Sequence, residues 1–209
     1  MSRTVGWFQR PANPCPHLMS PMDPTFRSSR LIDRTGSGLL VVDLQTKLLP
    51  GIDGSPQIIA NTDRLCRAAE LLSVPRTATV QYPQGLGPLA SPLAERFPTP
   101  DEKLAFSGAG CESIAQLTAA HGLSQWIVVG IETHICVLQT TLDLLARQID
   151  VFVVADAVGA RGARDHQIAL DRMQSEGATL VTTESVLFEW CQTAADPNFK
   201  QISAIVREG

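Results

Sequence analysis

From Gly38 onward the chain alternates short, unbroken apolar runs with longer stretches in which apolar residues recur every three or four positions. Leu39-Leu40-Val41-Val42 is a run without polar relief, ending at Asp43, and reads as a strand buried on both faces. From Ser55 to Leu72 the apolar positions Ile58, Ile59, Leu65, Ala68, Ala69, Leu71 and Leu72 share one face of a helix. Thr77 to Gln81 predicts a second strand, and the turn-rich YPQGLGPLASP after it a loop. A short third strand ends near Lys103–Ala105, and a helix runs from about Glu112 to His121. Gln125 to Val129 then predicts a strand, His134 to Arg147 a helix, and Val151–Ala155 a strand bounded by Asp150 and Asp156. Arg164–Glu176, Ala178–Thr182 and Glu184–Thr193 read as helix, strand and helix, and an amphipathic helix covers Phe199–Val206.

Strands alternating with helices in this way predict an α/β fold. The expected architecture is a Rossmann-like three-layer α/β/α sandwich around a mostly parallel six-stranded sheet. Residues 1–37 break the pattern: they are rich in arginine, proline and serine, with little periodic apolar content. They read as a loosely ordered tail ahead of a single domain, 38–209. A mitochondrial leader is the rival reading, against which Asp23, Asp33 and the prolines count.

Composition removes whole classes of function. A formal charge of −4 and scattered Lys and Arg give no surface that would track a nucleic-acid backbone or an anionic membrane. No apolar stretch reaches the length of a membrane span. The five cysteines (Cys15, Cys66, Cys111, Cys136 and Cys191) are odd in number and widely spaced, without a CxxC or Cys/His cluster. Neither a disulfide framework nor structural zinc is expected, and a reducing, cytoplasmic setting fits best. No metal and no cofactor are expected, and the partner implied is a small-molecule substrate.

Parallel α/β sheets bind ligands at the carboxyl ends of their strands. That rim collects Asp43, Gln81-Tyr82, Lys103, the segment Gly130–Cys136 and the segment Asp156–Arg161. Cys136 falls in the first turn of a predicted helix, where the helix dipole is expected to depress a thiol pKa. For Cys66 and Cys191, mid-helix on apolar faces, a structural role is the expectation. Asp43 is placed to exchange a proton with the thiol, or simply to cap a loop. Lys103 alone reads equally as a surface charge. Tyr82, Phe106, His134 and Arg161 neighbour strand ends and are candidate pocket residues, with Asp165 the expected partner of Arg161 otherwise. GxGxxG after a strand, GxSxG and GxxxxGK[ST] are all absent.

Taken together, LLVVDLQTKLLPGI, DEKLAFSGAGCESIAQL and WIVVGIETHICVLQTTLDLLARQIDVFVVADAVGAR resemble the isochorismatase-like cysteine hydrolase family, over about Gly38 to Gly209. Within it, QYPQGLGPL and DRMQSEGA look closest to the isochorismatase domain-containing proteins. The resemblance implies a catalytic triad of Asp43, Lys103 and Cys136. It also implies a cis peptide at Ile131–Glu132, and an oxyanion hole made by the Glu132 and Cys136 N–H groups. Homo-oligomers are implied as well. Family members that cleave amides use the cysteine to form a thioester, whereas those acting on isochorismate typically lack it. Retention of Cys136 therefore points to an amide or related C–N or carbonyl substrate, with a catalytically silent binding or scaffold protein as the rival. Nicotinamidases of the family place an Asp-x-His and a further His after the first helical region to bind a divalent metal, but Arg76 to Phe97 holds neither histidine nor aspartate, so no catalytic metal is expected.

Overall fold

A strand whose every residue is apolar needs cover on both faces, and the sheet supplies it. The computed structural model describes residues 27–208. Six strands form one all-parallel sheet in the order β3-β2-β1-β4-β5-β6. In chain order the elements are β1 (Ser37–Val42), α1 (Ser55–Leu71), β2 (Arg76–Gln81), α2 (Pro83–Leu86), α3 (Leu93–Arg96) and β3 (Asp101–Lys103). There follow α4 (Glu112–His121), β4 (Gln125–Ile131), α5 (Leu138–Ala146), β5 (Asp150–Gly159), α6 (Ala163–Ser175), β6 (Thr179–Val181), α7 (Thr183–Cys191) and α8 (Phe199–Val206).

Alternate residues of each central strand enter opposite cores, as the strand period of two requires. Leu39 and Val41 of β1, Ile127 and Val129 of β4, and Phe152 and Val154 of β5 face one side. There they meet Ile58 and Leu65 of α1, Val186 and Trp190 of α7, and Ile202 of α8. Leu40, Val42, Trp126, Val128, Val151 and Val153 face the other side, against Ile114 of α4, Leu144 of α5 and Leu170 of α6. These two cores make the three layers.

Four details depart from the sequence pattern. The YPQGLGPLASP segment is not all loop, because Pro83 opens one helical turn, α2, and a second turn, α3, follows Pro92. The strand expected at 151–155 continues to Gly159 across an irregularity opposite Val128–Gly130, since Ala157 and Val158 stay buried beyond the polar Asp156. The helix expected from His134 begins instead as a π turn, Thr133–Val137, before α5. Finally, most of the segment read as a tail lies outside the described residues. Its described end packs on the body, with Ile32 fully buried and its N–H donating to the Glu189 carboxylate at 2.7 Å. No helix among the described residues is long and apolar enough to cross a membrane.

The chain leaves β1 for β2 and β3 on one side, then returns to β4 on the other. The order reverses between β1 and β4, so a crevice opens there beyond their carboxyl ends. Asp43 and the Gly130–Cys136 segment stand at that crevice.

Candidate active site

Asp43 follows the last residue of β1 and adopts a left-handed backbone, with φ of 51°. This conformation, which Asp tolerates better than most residues, turns the chain out of the sheet. The carboxylate is completely buried. One oxygen, Oδ1, accepts from the Thr79 hydroxyl at 2.8 Å, and the other, Oδ2, accepts from Lys103 Nζ at 2.6 Å. Lys103 ends β3, two strands away, and its side chain crosses over β2 to reach Asp43. Its ammonium also donates to Gln81 Oε1 at 2.8 Å and to the Phe106 carbonyl at 3.0 Å. The three protons of the ammonium thus have three close acceptors. A buried charge is tolerated only when so paired.

Cys136 lies in the π turn, 7% exposed, and feels both the Asp43 carboxylate and the Lys103 ammonium. Burial pushes its thiol up to about 12, and the Asp43 carboxylate adds to the rise while Lys103 opposes it. The expected depression by a helix start is therefore not what this site produces. Desolvation and a neighbouring anion outweigh the dipole of a short irregular turn. Among Asp43, Lys103 and Cys136, the resting thiol keeps its proton.

The path of β4 brings the cysteine there. Gly130 sits opposite Val42 with φ of 121°, and a Cβ on it would lie 2.0 Å from the Val42 carbonyl oxygen. Only glycine lets β4 approach β1 so closely. The next peptide, Ile131–Glu132, is cis. The Glu132 N–H makes no hydrogen bond among the described residues, whereas its carbonyl accepts from Ile135 and Val137. Its buried carboxylate is held by the Arg161 backbone N–H at 3.2 Å and by Arg161 Nε at 3.0 and 3.1 Å. Thr133, fully buried, pairs its hydroxyl with His166 Nδ1 at 2.9 Å.

The candidate pocket residues divide. Arg161 pairs with Glu132 rather than with Asp165, because the Glu132 carboxylate lies buried directly beneath it. Phe106 contributes a carbonyl to Lys103 while its ring is half exposed. Tyr82 is half exposed beside β3, its N–H bonded to the Lys103 carbonyl. His134 shares the π turn with Cys136, and its buried Nδ1 has no partner among the described residues. Cys66 and Cys191 are buried and unpaired, Cys111 is half buried just before α4, and Cys15 lies outside the described residues.

Thr79 was not foreseen as part of the site, and Gln81 was placed on the rim without a role. They stand two apart in β2 and so share one face of the strand. A polar face (Thr77, Thr79 and Gln81) on an otherwise apolar, buried strand was the signal available. Gln45 belongs with them: its side chain donates to the Gln81 and Gly87 carbonyls and accepts from the Gln81 N–H, fixing the segment after β2. No group of three or more His, Cys, Asp or Glu side chains suited to a metal ion occurs among the described residues.

Comparison with known proteins gives this arrangement its relatives. Residues 37–185 match the model of the isochorismatase domain. The chain is 39% identical over 170 residues to isochorismatase domain-containing protein 2A of Mus musculus, covering 81% of this chain and 82% of that one. Among solved structures it resembles the MAR1 ribonuclease of Caenorhabditis elegans, with a TM-score of 0.78 and 37% identity over 85% of this chain and 92% of that one. It also resembles the YcaC gene product of Escherichia coli, called an octameric hydrolase of unknown specificity, with a TM-score of 0.72 and 25% identity over 88% and 99%. With a family model matched along most of the chain and a close relative spanning four-fifths of it, the protein belongs to the isochorismatase domain family and has its hydrolase fold.

Proposed function

We propose that the protein is a cysteine hydrolase acting on a small amide, or a related C–N or carbonyl compound, through a thioester. The observation that carries this reading is the buried Asp43–Lys103 ion pair, 2.6 Å apart, acting on the Cys136 thiol. The pair meets the thiol at the switch point of an α/β sheet, where ligands bind, and strongly perturbed titratable groups cluster at functional sites.

In this scheme Asp43 takes the Cys136 proton as the sulfur attacks the substrate carbonyl. The unpartnered Glu132 N–H, with that of Cys136, receives the developing oxyanion. Collapse expels ammonia or an amine, which leaves with the proton held on Asp43. Asp43 then deprotonates a water molecule, which cleaves the thioester to a carboxylate and returns the proton to sulfur. Lys103 holds the Asp43 carboxyl group in place through its hydrogen bond to Oδ2. Because the resting thiol is protonated, proton transfer is coupled to substrate arrival rather than completed beforehand.

Ribonuclease activity, named for the nematode relative, has less to support it here. The chain carries a net negative charge, and its one buried cation at the site is saturated by protein acceptors. The test is a screen of small primary amides and carbamoyl compounds for release of ammonia. Turnover of at least one is expected, falling by about a thousandfold or more in Cys136→Ala and in Asp43→Asn. Full turnover in either variant would remove the proposal; no turnover of any compound by the wild type would favour the silent-scaffold reading.

A further inference from the structure

Between the strands that carry Asp43 and Lys103 lies β2, and two of its buried polar residues, Thr79 and Gln81, grip one member of the pair each. The Thr79 hydroxyl holds Asp43, while Gln81 Oε1 accepts from Lys103 Nζ at 2.8 Å. Gln81 is itself fixed: its amide nitrogen donates to the Leu104 carbonyl at 2.8 Å, and its backbone N–H donates to Gln45 Oε1 at 2.7 Å. Its amide orientation follows from these partners, since only an oxygen accepts from the ammonium and only the NH2 donates to a carbonyl. Gln81 thus brings an uncharged acceptor to a place where a carboxylate would fit as well.

We infer that Gln81 is a positioning residue that holds one N–H of Lys103 away from Cys136 and, being neutral, fixes the charge balance around the thiol. This rests on the Asp43–Lys103–Cys136 reading above. The ammonium has three protons and three acceptors within 3.0 Å: Asp43, Gln81 and the Phe106 carbonyl. The same ammonium lies within hydrogen-bond reach of the Cys136 sulfur, which must compete with these acceptors for it. The charged groups acting on Cys136 are Asp43 and Lys103, so the occupant of position 81 tips their balance. A carboxylate there would set a second anion beside Lys103 and disfavour the thiolate. An apolar side chain would free one Lys103 N–H to turn toward sulfur and favour it.

The test is alkylation of Cys136 by iodoacetamide at fixed pH 8.5 in the full-length chain, followed by mass spectrometry of its peptide. No substrate is needed. Gln81→Glu is expected to slow the reaction at least threefold and Gln81→Met to speed it at least threefold. A purely structural role for Gln81 moves both variants the same way, because loosening exposes the thiol in each. Rates that change in the same direction, or match the wild type, overturn the inference. Should Gln81→Glu fail to fold, the alkylation of Gln81→Met is followed from pH 7 to 10: a pH dependence displaced to lower pH is expected, and a rate that is unchanged, lowered, or raised equally at every pH overturns the inference. Failure of the hydrolase proposal shows separately, as full amide turnover by Cys136→Ala.

Discussion

Cys136 meets two opposite charges at once, and the one that prevails governs how the residue behaves at rest. Burial and the Asp43 carboxylate act together against Lys103, holding the thiol up to about 12. Asp43→Asn removes the anion and leaves the ammonium, so Cys136 should be alkylated by iodoacetamide several-fold faster at pH 8 even as turnover is lost. A slower reaction would mean that Lys103 alone cannot stabilise the thiolate. Gly130 is the other residue on which the site turns. Gly130→Ala puts a methyl group into the Val42 carbonyl and strains a backbone at φ 121°. The cost expected is about 3 kcal/mol, seen as a melting temperature lower by roughly 6–12 °C. Of the candidate residues, Asp43, Lys103 and Cys136 could be placed on one rim because each ends or follows a strand, but their grouping as a triad came from the family resemblance. The neutral grips, Thr79 and Gln81, were not singled out for that role: strand position gives their face but not the hydrogen bonds they make. The thiol's raised pKa was misread because sequence shows a helix start and hides the depth of burial.

At the level of elements, the unbroken apolar runs foretold the central strands closely, since burial on both faces leaves the residue types little choice. Boundaries failed where a local rule met a tertiary one. Asp156 looks like the end of β5, yet its carboxylate accepts from the Thr183 N–H and hydroxyl at 2.8 and 3.0 Å, which lets the strand pass through it. The π turn has no signature in the apolar period, because it displaces the pattern by only one residue. The last helix, α8, shows how much the outer layer depends on a few side chains. Ile202 is fully buried against the core shared with α1 and α7. Ile202→Ala should cost about 3 kcal/mol in chemical denaturation. Little effect on Cys136 alkylation is expected, because α8 lies on the face of the sheet opposite α5.

For the whole molecule, a half-buried histidine and two buried thiols set the pH range of stability. Burial lowers the His166 pKa below its ordinary 6.5, so the unfolded chain binds the proton more readily and stability is lost as pH falls through that region. Burial raises the thiols of Cys66 and Cys136 from 9.0 to about 12, so the folded state retains protons that the unfolded chain gives up. Stability from these thiols is present below pH 9 and is lost as pH rises toward 12. Melting temperatures should therefore form a plateau between about pH 6.5 and 9 and fall on either side, with Cys66→Ala softening the alkaline fall. Tyr82, Leu104 and Phe106 stand exposed together around the end of edge strand β3, an apolar patch at the border of the sheet.

The ion pair that joins β1 to β3 across β2 links residues 60 positions apart, and Cys136 arrives only with β4. No hairpin, single crossover or other local fragment holds all three side chains. A nascent chain still short of β4 carries the acid and the amine but not the Cys136 thiol that would cleave. In refolding, Cys136-dependent turnover should thus return in step with closure of the four-strand centre, later than helix content measured by circular dichroism. Catalysis would then serve as a built-in clock for completion of the sheet.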